Sequence, residues 1–142
     1  MISLLDANML IALFDAAHVH HDAAHQWLTA NRANGWATCP LTENACIRVI
    51  SQPSYSGRLS VADIAGRLDR AMAALDHHAW PDDIHLSDPR RFDHAQIHHS
   101  KHLTDIYLLG LAVHHRGRLV TFDKGISVVP VKGADSNHLL VL

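Results

Sequence analysis

The order of apolar and polar blocks along the chain predicts short strands and amphipathic helices in turn. "SLL" near the start predicts a buried strand, and the segment that follows it, "ANMLIALFD", has helical spacing. A second helix is predicted over about residues 18–32, with Ala24, Trp27 and Leu28 on its apolar face. "GWATCP" predicts another strand, and Thr42 is the expected N-cap of the helix in "LTENACIRVIS".

The clearest helical pattern lies in "SVADIAGRLDRAMAALDHH", where Ser60 is the expected N-cap. The apolar residues that recur on one face of this helix are Ile64, Leu68, Ala71, Met72 and Leu75. A strand is predicted in "AWPDDIHLS", then a short helix and loop in "DPRRFDHAQIHHSKH". The last predicted helix has Thr104 as its cap and Gly117 as its stop. "RLVTF" predicts a buried strand, and "KGISVVPV" and "NHLLVL" supply one or two more.

Strands that alternate with helices imply a parallel sheet with helices on both faces, and therefore the α/β class. The sequence contains no internal repeat, low-complexity segment or linker, so we expect a single domain over residues 1–142. A chain of this length can bury about two thirds of its unfolded surface, and its core needs no disulfide.

Composition narrows the class of protein. The chain is 48% hydrophobic and 18% charged, which argues against disorder, and its net charge of −2 gives no global positive field for nucleic acid. Cys39 and Cys46 fit neither a zinc ribbon nor a CxxC pair, so we expect reduced, buried thiols. No apolar run approaches the roughly 18 residues that cross a bilayer. The start of the chain lacks the pattern of a signal peptide, so a cytoplasmic protein is expected.

Four carboxylates occur at the same kind of position, where a predicted strand ends or the next helix begins. Asp6 follows the first strand, Glu43 and Asp105 lie in first helical turns, and Asp123 follows "RLVTF". In an open parallel sheet, strand ends and helix starts meet along one edge, where ligands bind. The pattern therefore predicts that all four acids converge there.

Each acid also has a structural interpretation. Glu43 and Asp105 are typical of acids that favour a helix start, Asp6 could cap the next helix, and Asp123 could belong to a turn. Capping does not require the four to meet, however. Four anions that meet repel one another unless a cation joins them, and oxygen ligands suit Mg²⁺ or Mn²⁺. Such ions activate water and neutralise charge on a phosphate under in-line attack, which predicts phosphodiester hydrolysis.

With these residues placed, the sequence resembles the PIN-domain ribonucleases, specifically the VapC toxins of toxin–antitoxin pairs. The resemblance rests on "LLDANMLIAL", "WATCPLTENACIRVIS", "WPDD" and "LTDIYLLGLAVHHRGRLVTFDKG", and it covers nearly the whole chain. It implies a three-layer α/β/α fold with about five parallel strands. It also implies metal-dependent cleavage of RNA that leaves a 3′-hydroxyl and a 5′-phosphate, inhibition by a cognate VapB-like antitoxin, and a homodimer.

The resemblance implies a role for each acid. Asp6 and Asp105 match the principal Mg²⁺ ligands, and Asp123 completes the pocket directly or through water. Glu43 would ligate a second metal or orient the attacking water.

Three further residues are expected beside these acids. Asn8 stands where many relatives carry Ser or Thr, and its amide could still hold a water on the metal or the scissile phosphate. Thr121 would donate its hydroxyl to a carboxylate of the pocket, and His102 could touch a phosphate near the metal.

The basic side chains leave two interpretations open. They are either solvated charges that favour helix ends or contacts to the RNA backbone, and they are Arg48, Arg116, Arg118 and Lys124.

The chain has fourteen histidines, and their spacing suggests metal sites for which the rest of the sequence gives little support. Two sets have helical spacing that can bind zinc or nickel: His18, His21 and His25, and His94, His98 and His102. No carboxylate or cysteine obviously completes either set, so a neutral polar surface is expected. Trp27, Trp36 and Trp80 are expected in the core or at an interface.

Two alternative functions belong to other classes. The chain could act chiefly as a partner of the antitoxin that represses its own operon, although it has no evident DNA-reading motif. A phosphatase with Asp6 as nucleophile is disfavoured, because such enzymes typically carry a second aspartate two residues on, where this chain has Asn8.

Overall fold

A five-stranded parallel sheet forms the centre of the molecule in the computed structural model, which describes residues 1–142. The strands are β1 (Ser3–Leu5), β2 (Trp36–Thr38), β3 (His77–Ala79), β4 (Arg118–Thr121) and β5 (Leu139–Val141). Their order across the sheet is β3-β2-β1-β4-β5, and every neighbouring pair is parallel. The predicted fold class is confirmed.

Five α-helices connect and cover these strands. They are α1 (Ala7–Phe14), α2 (His21–Asn31), α3 (Pro40–Ile50), α4 (Val61–Met72) and α5 (Leu103–His114). The chain leaves central β1 toward β2 and β3 and later returns to its other side with β4 and β5. The strand order therefore reverses beside β1, where open α/β sheets bind their ligands.

The core lies on both faces of the sheet because neighbouring residues of a strand point to opposite sides. Leu4 packs with buried residues of α5, and Leu5 packs with buried residues of α1, α3 and α4. Cys39 and Cys46 lie on opposite faces as free, buried thiols, as predicted. Burial raises the pKa of Cys39 to about 11 and that of Cys46 to about 12, so both stay protonated.

No helix combines the length and the apolar character that crossing a membrane requires.

Two predicted helix caps are wrong. Helix α3 begins at Pro40 with Cys39 as its N-cap, and the Thr42 hydroxyl accepts the Cys39 N–H at 3.2 Å from inside the first turn. The backbone angle φ of proline is fixed near the helical value, which favours Pro40 as the first helical residue, so the helix begins before Thr42. Helix α5 begins at Leu103 after a 3₁₀ turn, Ser100–His102, so Thr104 is also inside its helix.

The end of α4 is the largest difference from the predicted elements. The helix ends at Met72, a turn over residues 73–76 follows, and the edge strand β3 begins at His77, so Leu75 in that turn is fully exposed. The strand predicted in "AWPDDIHLS" is wrong beyond Ala79, since β3 is built mainly from histidines that pair with Trp36 and Ala37. Apolar spacing continued past Met72 in the sequence, but pairing with β2 decides the structure there.

Two smaller boundaries also move. Helix α2 begins at His21 rather than at residue 18, although Ala24 is buried as predicted. "KGISVVPV" forms no strand and makes one isolated antiparallel bridge, from Val131 to Phe92, whereas "NHLLVL" does supply β5.

Gly117 follows the end of α5, as predicted, but packing explains it. The left-handed backbone conformation belongs to Arg116, whose φ is 58°. A Cβ atom on Gly117 would lie 2.5 Å from the Ile2 carbonyl oxygen and 2.6 Å from the Trp80 ring. Glycine therefore lets β4 and Trp80 approach each other closely.

Candidate active site

Asp6 lies directly after β1 and is held by two hydrogen bonds. Its Oδ1 accepts the Ala7 N–H at 2.6 Å, and its Oδ2 accepts the Thr121 hydroxyl at 2.7 Å. The residue is only 5% exposed, and burial raises its pKa despite both bonds. Asp6 therefore caps α1, as the structural interpretation expected, and also carries a poorly solvated charge at the edge of the sheet.

Thr121, the last residue of β4, connects Asp6 to its neighbours. Its Oγ1 accepts Nδ2–H of Asn8 at 2.9 Å and the N–H of Asp123 at 3.0 Å. Asn8 Oδ1 accepts the Phe122 N–H at 3.2 Å. The structure thus places Thr121 on Asp6, as expected, and it places the Asn8 amide against the end of β4.

Asp105 and Asp123 complete a group with Asp6 that we call the acid centre. Asp105 lies in the first turn of α5, and its pKa is raised to about 6 by burial first and then by the charges of Asp6 and Asp123. The charge of Asp123 also raises the pKa of Asp6. Asp123 Oδ1 accepts the Gly125 N–H at 2.8 Å, which is the turn contact expected for it. Three acids from distant positions therefore repel one another here.

Glu43 belongs to a neighbouring group. Its Oε1 accepts the Thr38 hydroxyl at 2.6 Å, and Thr38 Oγ1 is 2.8 Å from Nε2 of His77. Burial, the largest effect, lowers the pKa of His77, and the charge of Glu43 opposes that shift. Glu43 is thus connected to Thr38 and His77 by hydrogen bonds, whereas the three aspartates are related by their electrostatic repulsion.

Sequence reasoning missed Thr38 and His77. Thr38 ends β2 as Thr121 ends β4, and each donates its hydroxyl to an acid of the site. Both threonines are fully buried. The signal was a threonine at the end of each strand that flanks β1.

The acid centre fits a hard divalent cation. No lysine, arginine or histidine forms an ion pair with any of its three carboxylates. Burial and mutual repulsion raise the pKa of Asp6 and of Asp105, so the negative charge is not compensated by the protein. Carboxylate oxygens are the ligands that Mg²⁺ and Mn²⁺ prefer.

A cavity of about 190 Å³ adjoins Asp105. Its walls come from residues 96–99, from His102 at the start of α5, and from 125–127 and 130. His102 therefore lies where the sequence expected it, beside the acid centre, with the His99 ring 6.1 Å away.

The predicted basic residues are not all near the acids. Arg116 and Arg118 lie at the start of β4, the opposite end of the strand from Thr121. Arg118 donates to the Ser3 hydroxyl at 3.0 Å and covers the Trp27 ring at 5.8 Å. Their position favours the structural interpretation of these two arginines.

Arg48 and Lys124 are exposed, and Lys124 directly follows Asp123 of the acid centre. Trp36 and Trp80 are buried in the core, as predicted, and Trp27 is partly buried.

Neither predicted histidine set gathers its donor atoms. His18 lies before α2 begins, and His21 and His25 contact the carbonyl oxygens of Ala12 and Leu13 at 2.7 and 2.9 Å. The other set does not share a helix, since His94 and His102 lie on separate 3₁₀ turns and His98 lies between those turns. A third set, absent from the prediction, does bring its donors together: Asp83, His114 and His115.

Comparison with known proteins places this geometry in a family. The model of the PIN domain matches residues 3–132. Ribonuclease VapC44 of Mycobacterium tuberculosis is 44% identical over 142 residues, all of both chains. Ribonuclease VapC39 of the same species is 40% identical over 133 residues, which cover 89% of this chain and 92% of the relative.

Two solved structures share the fold at low identity. VapC20 of M. tuberculosis, a toxin that cleaves the sarcin–ricin loop, has a TM-score of 0.63 at 12% identity and covers 93% of this chain and 98% of its own. VapBC2 of Rickettsia felis, bound to a DNA fragment from its promoter, gives a TM-score of 0.59 at 14% identity and covers 87% and 89%. The chain therefore belongs to the PIN-domain family and, within it, to the VapC ribonuclease toxins of VapBC toxin–antitoxin systems.

Proposed function

We propose that the chain is a divalent-metal-dependent endoribonuclease whose acid centre holds Mg²⁺ or Mn²⁺. The observation that carries this proposal is the mutual repulsion of Asp6, Asp105 and Asp123 without a compensating cationic side chain. Such an arrangement is costly to the folded protein unless a cation binds. A bound divalent ion supplies positive charge to the scissile phosphate and favours ionisation of water.

The chain's own residues then have distinct tasks. Thr121 and the Ala7 N–H fix both oxygens of Asp6, so one carboxylate is oriented before any ligand arrives. Thr38 fixes Glu43 in the neighbouring group, where Glu43 orients the attacking water. Asn8 braces the end of β4 through Thr121 and Phe122, and its second amide N–H holds a water on the metal or the scissile phosphate. Hydrolysis leaves a 3′-hydroxyl and a 5′-phosphate.

RNA is proposed to cross the edge of the sheet at the acid centre. The cavity beside Asp105 receives one nucleotide next to the scissile bond, and His102 on its wall contacts a phosphate. Exposed Lys124 and Arg48 contact the RNA backbone, so salt weakens binding.

A VapB-like antitoxin is the proposed protein partner. A groove of about 480 Å³ lies between α1, α2 and α4, and eight of its eleven lining residues are hydrophobic. Leu13, Phe14 and Leu28 line it, while Arg70 at its rim forms no ion pair. These features suit an amphipathic antitoxin helix that carries an acidic residue. The expected homodimer also stays a prediction, which light scattering of the purified chain tests.

A second role as corepressor is favoured by one comparison, since the Rickettsia felis VapBC2 structure contains promoter DNA. Operator binding measured with the antitoxin, with and without this chain, tests that role separately from catalysis.

Sequencing of the RNA ends made in cells tests the main proposal and names the target. Wild type is expected to create new 5′-phosphate ends at defined sites that Asp6→Asn does not create. Asp135→Asn is the matched control and should give the wild-type ends. Asp135 is an exposed carboxylate in a turn near the end of the chain, where it accepts the Asn137 N–H. Equal ends from wild type and Asp6→Asn would contradict the proposal.

A further inference from the structure

Three side chains with metal-binding donors meet at the end of α5 that is opposite to Asp105. Asp83 Oδ1 is 3.0 Å from Nε2 of His115, and Asp83 Oδ2 is 3.3 Å from Nε2 of His114. We call these three residues the His/Asp cluster. Each residue offers one donor atom, and the three atoms all lie within 4.8 Å of one another.

The cluster is held in place by the core below it. The His115 ring stacks on Trp80 with centroids 4.6 Å apart and an angle of 17° between the planes. Trp80 is only 7% exposed and packs against Gly117, where no Cβ would fit. The rings of His114 and His115 are inclined at 73°, so they face Asp83 from different directions.

These donors lie close enough together to serve one tetrahedral ion, since one ligand atom from each residue lies within 4.8 Å of the other two. Bonds of about 2.0–2.1 Å at the tetrahedral angle place neighbouring ligand atoms about 3.3 Å apart. Each imidazole nitrogen lies at a similar distance from its own oxygen of Asp83, 3.0 Å from Oδ1 for His115 and 3.3 Å from Oδ2 for His114. The side chains of Asp83, His114 and His115 are 40%, 30% and 20% exposed, so solvent can supply a fourth ligand and an ion can enter.

We propose that the His/Asp cluster binds one Zn²⁺ ion, or a similar transition-metal dication, at a site separate from the acid centre. Two imidazoles with one carboxylate favour zinc over Mg²⁺, which prefers oxygen ligands. Asp105 and His114 are nine residues apart on α5, or about 13 Å along the helix axis. One ion cannot contact both sites.

The ion would tie the loop after β3 to the end of α5. Asp83 lies in that loop, which has no helix or strand between Ala79 and the 3₁₀ turn at His94. Its neighbour Asp82 accepts the N–H of Leu41 at 3.1 Å, so the same loop also contacts the start of α3. Zinc therefore stabilises the folded chain, because the unfolded chain does not assemble the three ligands.

Zinc binding is best measured in the Asp105→Asn background, so that the acid centre does not take up the ion. Calorimetric titration of this protein with ZnCl₂ is expected to give one Zn²⁺ per chain, and Co²⁺ is expected to give the visible absorption of a tetrahedral site. Adding Asp83→Asn should weaken Zn²⁺ binding by more than about 100-fold, since loss of even an outer partner of a ligand costs about 10–100-fold. His115→Gln is the second variant and should do the same.

Asp135→Asn in the same background is the matched control. Asp135 also contacts a histidine, His138 at 3.1 Å, but only one. This variant should keep the full affinity and the full rise in melting temperature on adding Zn²⁺. Melting in EDTA checks that each variant folds. The proposal is overturned if the Asp105→Asn protein binds no Zn²⁺, if neither Asp83→Asn nor His115→Gln weakens binding, or if Asp135→Asn weakens it equally.

Discussion

Carboxylates in opposite electrostatic situations lie at the two ends of α5, Asp105 in its first turn and Asp83 in a loop that contacts its last residues. At the N-terminal end, burial and two neighbouring aspartates raise the pKa of Asp105 to about 6. At the C-terminal end, partial burial works to raise the pKa of Asp83, but hydrogen bonds from His115 and His114 outweigh it and lower the pKa. One helix thus separates an uncompensated acid from a compensated one.

The difference distinguishes aspartates whose charge no cationic side chain offsets from an aspartate whose charge is offset by hydrogen bonds from two histidines. The Asp83 carboxylate accepts hydrogen bonds from His114 and His115, so its negative charge is stabilised even when no metal ion is bound. Asp105 accepts no side-chain hydrogen bond in the structure and faces two negative charges. Repulsion that the protein leaves in place is typical of functional sites.

Substitution of the acid centre should produce the largest effect. Asp6→Asn and Asp105→Asn are each expected to lower Mg²⁺-dependent RNA cleavage by at least about 1,000-fold, or about 4 kcal/mol, because each removes a ligand and a charge. Cleavage rates on a labelled RNA measure this. Asp83→Asn, at the other end of α5, should cleave within about twofold of wild type when zinc is absent. Full activity in either acid-centre variant would refute the assignment.

The buried threonines at the ends of β4 and β2 should rank next. Thr121→Val removes the hydroxyl that orients Asp6 and should lower Mg²⁺ affinity and cleavage by about 10–100-fold. Thr38→Val removes the same contact from Glu43, which lies outside the repelling group, and should leave Mg²⁺ affinity close to that of wild type. A loss of Mg²⁺ affinity in Thr38→Val that equals the loss in Thr121→Val would show that Glu43 belongs to the acid centre.

The packing at the C-terminal end of α5, beneath the His/Asp cluster, can be disrupted without changing any carboxylate. Gly117→Ala forces a Cβ into the Ile2 carbonyl and the Trp80 ring and should destabilise the chain by about 1–3 kcal/mol. Gly66→Ala is the matched control, since its Cβ meets only Arg70 Nη1 at 3.5 Å inside α4, where alanine favours the helix. Denaturant unfolding measures both. Equal stability of the two variants would contradict the packing explanation for Gly117.

Much of the fold was predictable because the apolar pattern and the residues that cap or end helices indicate the same elements along most of the chain. Ser60 caps α4 as predicted, and its Oγ accepts the Asp63 N–H. The errors occur where a local signal competes with pairing across the sheet. "DHH" continued a helical pattern in the sequence, yet His77 and His78 pair with β2 and end that pattern.

The three aspartates of the acid centre could be predicted from the sequence, but the separate hydrogen-bonded group that contains Glu43 could not. Strand ends and helix starts identify Asp6, Asp105 and Asp123 as neighbours, but only side-chain geometry shows that Glu43 is hydrogen-bonded to Thr38 beside His77. The His/Asp cluster was not predictable by spacing. Asp83 and His114 are far apart in sequence, and helical spacing favoured histidine sets that the structure keeps apart.

The central claim is that the acid centre is strained by its own charges until a divalent cation binds. Thermal melting of wild type and Asp105→Asn, with EDTA and then with Mg²⁺, tests it most directly. The folded-state pKa of Asp105, about 6, lies above its ordinary value of 3.8. The penalty in wild type is therefore absent below pH 3.8, grows between pH 3.8 and 6, and is full above pH 6.

At pH 8 in EDTA, Asp105→Asn is expected to melt above wild type by about 2–4 °C, the shift that about 1 kcal/mol gives in a domain of this size. The difference should shrink as the pH falls from 6 toward 3.8. Mg²⁺ should raise the melting temperature of wild type alone and reverse the order. A variant that melts below wild type in EDTA at pH 8, or that gains as much from Mg²⁺ as wild type does, would contradict the account.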